Sequence, residues 1–155
     1  ASCEFIKQKQ NILITGSTGA GKSYMASAIG HQACSLGYKV MYYNTNKLFT
    51  MLKTSKADGS YLKQINKLEK QDLLIIDDFG LKALDAINRH SFMEIIEDRH
   101  GEHSIIIASQ LPVEAWHEII GEQTIADAIL DRLVHNAHRI DIKGESMRKK
   151  MKNKD

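Results

Sequence analysis

The segment Gly16-Ser17-Thr18-Gly19-Ala20-Gly21-Lys22-Ser23 constrains this chain more than any other feature. It fills the pattern G-x-x-x-x-G-K-[ST], and its surroundings suit it. An apolar run at 11–15 enters it, and a helical pattern at 22–36 leaves it, stopped by Gly37. Glycines let such a loop curl until successive backbone N–H groups converge on one anion. The following helix adds the positive end of its dipole. Lys22 then supplies charge between two phosphates, and Ser23 offers a hydroxyl to a magnesium ion. An ordinary glycine-rich turn needs neither the lysine nor the strand and helix around it.

The second signal is Leu73-Leu74-Ile75-Ile76-Asp77-Asp78, an apolar strand that ends in two carboxylates. In open α/β sheets ligands sit at the carboxyl ends of strands. After a complete phosphate loop, this is a Walker B pattern. Asp77 is placed to hold Mg2+ through its water shell, and Asp78 to orient or polarise an attacking water. By itself the pair also fits a helix cap or a turn.

Strand-like and helix-like stretches alternate along the rest of the chain. Strands are expected at 11–15, 39–43, 73–77, 104–109 and 139–142. Helices are expected at 22–36, 47–53, 61–70, 86–99 and 126–137, with a turn at Asp58-Gly59 and a small helix around Trp116 after Pro112. Ile87, Phe92, Ile95 and Ile96 are expected to face inward, Cys34 to lie in the core, and Thr124 with Asp127 to form a capping box. Strands rich in Ile and Leu without alternation, separated by helices, imply a parallel sheet covered on both faces: an α/β, three-layer αβα sandwich.

At 155 residues the chain fits a single domain over 1–155, with no repeat and no Gly/Ser linker. No apolar run reaches the ~18 residues of a membrane span. Two cysteines cannot build a disulfide framework, and the first residues lack a signal-peptide pattern, so a cytoplasmic setting and no membrane partner are expected. The net charge of +2 is unevenly spread. Lys47, Lys53, Lys56, Lys63, Lys67 and Lys70 stand against only Asp58 and Glu69 between 44 and 71, and residues 148–154 are again basic. Such patches suit phosphate backbones, or simply a solvated face and a tail.

Three further positions stay open on the residues alone. Ser109 or Gln110, closing the fourth strand, can present a polar group to a terminal phosphate, or merely open a loop. Arg132 fits either a solvated helix flank or an arginine finger reaching a neighbouring subunit's γ-phosphate. Arg148 fits either a nucleotide contact in its own chain or the basic tail. The seven histidines show no metal-binding spacing.

The phosphate loop, the 73–80 run, Ser109-Gln110-Leu111-Pro112, the 128–135 run and Gly144-Glu145-Ser146-Met147-Arg148 occur together and in order. Across nearly the whole chain they resemble the IstB-type transposition helper ATPases of insertion sequences. These are related to DnaC-type helicase loaders and the AAA+ initiator clade. The resemblance implies an AAA+ core with strand order 5-1-4-3-2 and a largely absent lid. It implies binding of ATP and Mg2+, slow hydrolysis, and homo-oligomeric assembly on double-stranded DNA in the service of a transposase.

By position, the nucleotide would be held by the whole loop, Gly16, Ser17, Thr18, Gly19, Ala20, Gly21, Lys22 and Ser23, with Tyr24 and with Arg148 as sensor II. Ser23 and Asp77 would hold the metal, and Lys22, Asp78, Gln110 as sensor I and Arg132 as a trans finger would serve hydrolysis. The stretch 44–70 falls where initiator-type proteins place helices that track DNA. The family's N-terminal DNA-binding segment is not in this sequence, which is expected to be a fragment. Asp78 stands where many AAA+ proteins have Glu, and Gln110 where many have Asn, so one side chain is shorter and the other longer by a methylene.

A helicase loader would share every nucleotide residue. A small-molecule P-loop kinase would need an acceptor pocket and an Arg-rich lid, neither of which is visible. A DNA-binding module without hydrolysis is the remaining alternative.

Overall fold

The computed structural model describes residues 3–17, 19 and 21–142. Thr18, Ala20 and Arg148 therefore lie outside the described residues. The element order is α1 (Glu4–Lys7), β1 (Asn11–Thr15), α2 (Lys22–Ser35), β2 (Val40–Asn44), α3 (Thr45–Asp58), α4 (Tyr61–Glu69), β3 (Leu73–Phe79), α5 (Ala86–Arg99), β4 (Ser104–Ser109), α6 (Trp116–Ile120, entered by a 3-10 turn), α7 (Gln123–Val134) and β5 (Ala137–Asp141).

The five strands form one parallel sheet in the order β2-β3-β4-β1-β5, the expected order. Alternate residues of each strand feed opposite layers. Leu13, Leu74, Ile76, Ile105 and Ile107 pack with the side chains of α3 to α7. Ile12, Ile14, Leu73, Ile75, Ile106 and Ala108 pack with α1 and α2. Both faces are dry, which is why these strands are apolar throughout instead of alternating. On α2 the approach is close: a Cβ on Gly30 would lie 2.9 Å from Ile75 Cδ1.

Four expectations change. Cys34 is exposed, because the buried stripe of α2 is Ala26, Gly30 and Ala33 and position 34 turns outward. Ile87 is 49% exposed. The inward stripe of α5 runs through Asn88, Phe92, Ile96 and Arg99, and Ile87 lies off its flank in the first turn. Helix α7 begins three residues before the expected 126, because the Glu122 carboxylate caps it by accepting the amides of Thr124 and Ile125; no Thr124–Asp127 box is used. It ends at Val134, where Asn136 at φ 59 turns the chain into β5. Finally, α3 starts at Thr45 and runs fourteen residues, closed by Gly59 at φ 84.

Candidate nucleotide-binding site

The loop after β1 is tied to the sheet by the Gly16 amide, which donates to Ser109 O at 3.2 Å. Gly19 and Gly21 have φ of 82 and 96, values that favour glycine, and Gly21 caps α2. Lys22 opens that helix, is buried, and points Nζ back at Ser17 O at 3.5 Å. Ser23 and Tyr24 follow on exposed positions. The lysine is thus held inside the loop whose amides would receive phosphate.

Beside it, β3 runs two residues past the expected end. Its register against β4 breaks between Ile76 and Phe79, opposite Ile107 and Ser109. A bulge of this kind re-aims side chains next to a site. Here it carries Asp77 and Asp78, and Asp78 adopts φ 58, the left-handed region that Asp tolerates better than most residues. Asp77 is 3% exposed; one carboxylate oxygen accepts the Asp78 amide at 2.8 Å and the other accepts the Tyr42 hydroxyl. The Asp78 carboxylate accepts Asn44 Nδ2 at 2.9 Å. Thr45 Oγ1 donates to the Asp77 carbonyl at 2.7 Å.

Tyr42 and Asn44 hold the acidic pair, and the sequence alone did not single them out. Both lie on β2, where Asn44 is in register with Asp77. The Tyr42 phenol is pushed up to about 12, first by desolvation and then by its hydrogen bond to Asp77; Ser23 acts on the same phenol in the opposite direction. The signal available was a polar and aromatic end on the strand beside the acidic one.

Asp77 accepts the Tyr42 hydroxyl, and Ser23 lies near enough to act on the same phenol. A carboxylate and a nearby hydroxyl oxygen form a donor set suited to a hard divalent cation, so these residues fit magnesium.

Ser109 is withdrawn from the chemistry. Its hydroxyl donates to Phe79 O at 2.6 Å and accepts the Leu111 amide at 3.0 Å. Gln110 is exposed and lines a cavity of about 590 Å3 together with Gly16, Ser17 and Arg139. Of the two open candidates, Gln110 alone faces the loop.

Arg132 is placed elsewhere. It sits in the last turn of α7, beside Leu133, whose carbonyl accepts Asn11 Nδ2 at the start of β1. Five residues of β1 separate that edge from the loop, roughly 16 Å. Its guanidinium contacts Glu97 at 3.1 Å and donates to Ala128 O at 2.9 Å.

The lysines of 44–70 are exposed on α3, α4 and the turn after α4. Lys53 is paired with Asp85 at 2.5 Å, and Lys56 lies 4.7 Å from the Tyr61 ring centroid. Lys63 and Lys67 stand four residues apart on α4, and Lys70 follows three residues later at its C-cap.

The profile of the IstB-like ATP binding protein family matches residues 1–155, the whole chain. The chain belongs to that family. A putative insertion sequence ATP-binding protein of Sinorhizobium fredii, y4pL, is 50% identical over 151 residues, covering 97% of this chain and 62% of the relative. The putative ATP-binding protein of insertion sequence IS21 from Pseudomonas aeruginosa is 31% identical over 154 residues, covering 99% of this chain and 58% of the relative. This IstB-like chain thus spans about three fifths of the length of both relatives. Among solved structures it is similar to the DnaC helicase loader (TM-score 0.76, 19% identity, 90% of this chain and 85% of that one). It is likewise similar to the replication initiator DnaA bound to AMPPCP and single-stranded DNA (TM-score 0.76, 22% identity, 90% and 43%). These two likenesses are of fold alone: the IstB-like chain shares the αβα core of both proteins. No helix among the described residues is long and apolar enough to cross a membrane.

Proposed function

We propose that this IstB-like chain is the core of a magnesium-dependent ATPase that assembles on double-stranded DNA and assists a transposase in choosing its target. The observation that carries the reading is the β3 bulge, which sets Asp77 and Asp78 side by side next to the lysine-bearing loop. Membership of a family whose relatives are named as insertion sequence ATP-binding proteins supports the biological setting.

The loop amides and Lys22 bind and neutralise the β- and γ-phosphates. Ser23 and Asp77 would hold magnesium, which when bound offsets charge on the transferring phosphoryl group. Asp78 accepts a proton from water; the water oxygen bonds to the γ-phosphorus, and the bond to the bridging oxygen breaks, releasing ADP. Gln110 orients that water from the fourth strand. Asn44 holds Asp78 by one oxygen, so the base is aimed by β2 as well as by its own strand.

Arg132 stands at the opposite edge of the sheet from Lys22, so it serves a neighbouring copy's nucleotide and not its own. The site is then complete only between two chains, and hydrolysis requires assembly. Mixing Lys22→Ala chains with Arg132→Ala chains tests this, since each supplies what the other lacks. Phosphate release by the mixture, absent from either variant alone, is expected. Full activity of Arg132→Ala alone would contradict a trans role.

A further inference from the structure

At the amino edge of the sheet, far from the phosphate loop, lies a cavity of about 280 Å3 between the ends of α5 and α7 and the starts of β1 and β4. Lys9, Arg99, His100, His103, Arg132 and His135 line it, and none of its described lining residues is Asp or Glu. Arg99 is 1% exposed. Its two terminal nitrogens donate to Leu68 O and Ser104 O, both at 2.7 Å, which ties the end of α4 to the start of β4. Its Nε has no hydrogen-bond partner among the described residues. No carboxylate among them lies within ion-pair distance of Arg99 or Lys9; Lys9 Nζ donates to a neutral carbonyl, Glu102 O, at 3.2 Å. Only Arg132 is paired, with Glu97.

A buried charge is costly unless it is paired, and a buried donor is costly unless it is used. Here one cation is fully buried with no carboxylate in ion-pair contact, only the more distant charges of Asp72 and Glu69, beside two imidazoles whose ring centroids are 6.1 Å apart. The third imidazole, His103, is held below its ordinary value, first by burial and then by the charge of Arg99. An anion in the cavity would face Lys9, Arg132 and the three imidazoles and would offset the buried charge of Arg99 from a short distance. The volume falls just under the ~300–1,000 Å3 of small-molecule pockets, so it suits a phosphate or pyrophosphate group and not a whole nucleotide.

We propose that this cavity is a second oxyanion site, separate from the nucleotide loop, that receives a phosphate group, supplied by free phosphate or by a DNA backbone. It shares Arg132 with the ATPase reading, whereas Lys9, Arg99 and His103 have no part in that chemistry.

The test uses the protein with its nucleotide loop saturated by magnesium and a non-hydrolysable ATP analogue, which fills the β- and γ-phosphate positions so that added phosphate cannot enter there. Inorganic phosphate is titrated while the imidazole C2 protons are followed by NMR. The resonances of His100, His103 and His135 are expected to shift together and to saturate, while those of His31 and His90, outside the cavity, stay still. The double substitution Lys9→Gln and His103→Gln should weaken phosphate binding about tenfold, with an unchanged melting temperature and unchanged affinity for the ATP analogue. A second arm replaces phosphate with a short DNA duplex. If the duplex moves the same three resonances, the phosphate comes from the backbone; if only free phosphate moves them, the ligand is the small anion. Shifts that never saturate, control histidines that move in step with the three, or a double variant that binds phosphate like the parent would overturn the proposal. Loss of ATPase activity with these shifts intact would instead count against the ATPase reading.

Discussion

Asn44 bonds to two things at once: its Nδ2 donates to the Asp78 carboxylate at 2.9 Å, while its Oδ1 accepts the amides of Asn46 and Lys47 at 3.0 and 3.3 Å. The proposed catalytic base and the start of α3 thus share one side chain. A rotation of α3, a helix that carries exposed lysines, pulls on the base directly.

Two substitutions separate the roles. Asn44→Ala removes both and should cost about 1 kcal/mol of stability, the usual worth of an N-cap. Asn44→Asp keeps the capping oxygen but replaces the donor with a charge that repels Asp78. It should melt closer to the parent than Asn44→Ala, yet both should alter single-turnover hydrolysis. Thermal melts and quenched-flow phosphate release read the two effects apart. Unchanged hydrolysis in both variants would show that the bond to Asp78 is idle.

Tyr42 donates to Asp77, the carboxylate assigned to the metal. That oxygen must give up the phenol before it can face a metal's water shell. One hydrogen bond is worth ~1 kcal/mol net, so Tyr42→Phe should lower the magnesium concentration needed for half-saturation roughly fivefold. ATP binding in the presence of a chelator should not change. Calorimetry with and without magnesium reads both. A weakened magnesium requirement would fit, and a strengthened one would show that the phenol supports the metal.

His103 contributes an acid-sensitive limb to stability. Burial, and then the Arg99 charge, lower its proton affinity in the folded chain. Below its ordinary value of 6.5 the unfolded chain takes up the proton more readily, so stability falls as the pH drops through and below that point. His103→Gln should flatten this limb in urea titrations between neutral pH and about 5.

Lys63 and Lys67 on α4 and Lys70 at its C-cap have no carboxylate within ion-pair distance among the described residues. If these lysines meet a DNA backbone, replacing all three by Gln should reduce the slope of log affinity against log salt by about 2 to 3. Lys53→Gln should matter less for DNA, because its ammonium is already paired with Asp85. Fluorescence anisotropy over a salt series measures both slopes.

The parallel sheet was readable because strands buried on both faces leave continuous Ile and Leu runs, whereas its strand order came only with the family resemblance. Lys22, Ser23, Asp77 and Asp78 stood out in the sequence because phosphate and metal chemistry needs fixed residue types at fixed spacing. Tyr42 and Asn44 did not, because their roles depend on the pairing of β2 with β3, a relation that no local pattern encodes. The start of α7 was misplaced because Glu122 caps through its own longer side chain, outside the Ser/Thr-first pattern. Cys34 and Ile87 show the limit of hydrophobicity as a guide: each is one helical position away from the buried stripe.

The central claim is that ATP and magnesium bind together where the loop of Lys22 adjoins Asp77. Calorimetric titration of the chain with ATP, in magnesium and in chelator, tests it most directly when repeated on Lys22→Ala and Asp77→Asn. The account predicts saturable heat for the parent, none for Lys22→Ala, and for Asp77→Asn binding that no longer improves with magnesium. Equal titrations for the parent and Lys22→Ala, or a magnesium effect that survives Asp77→Asn, would contradict it.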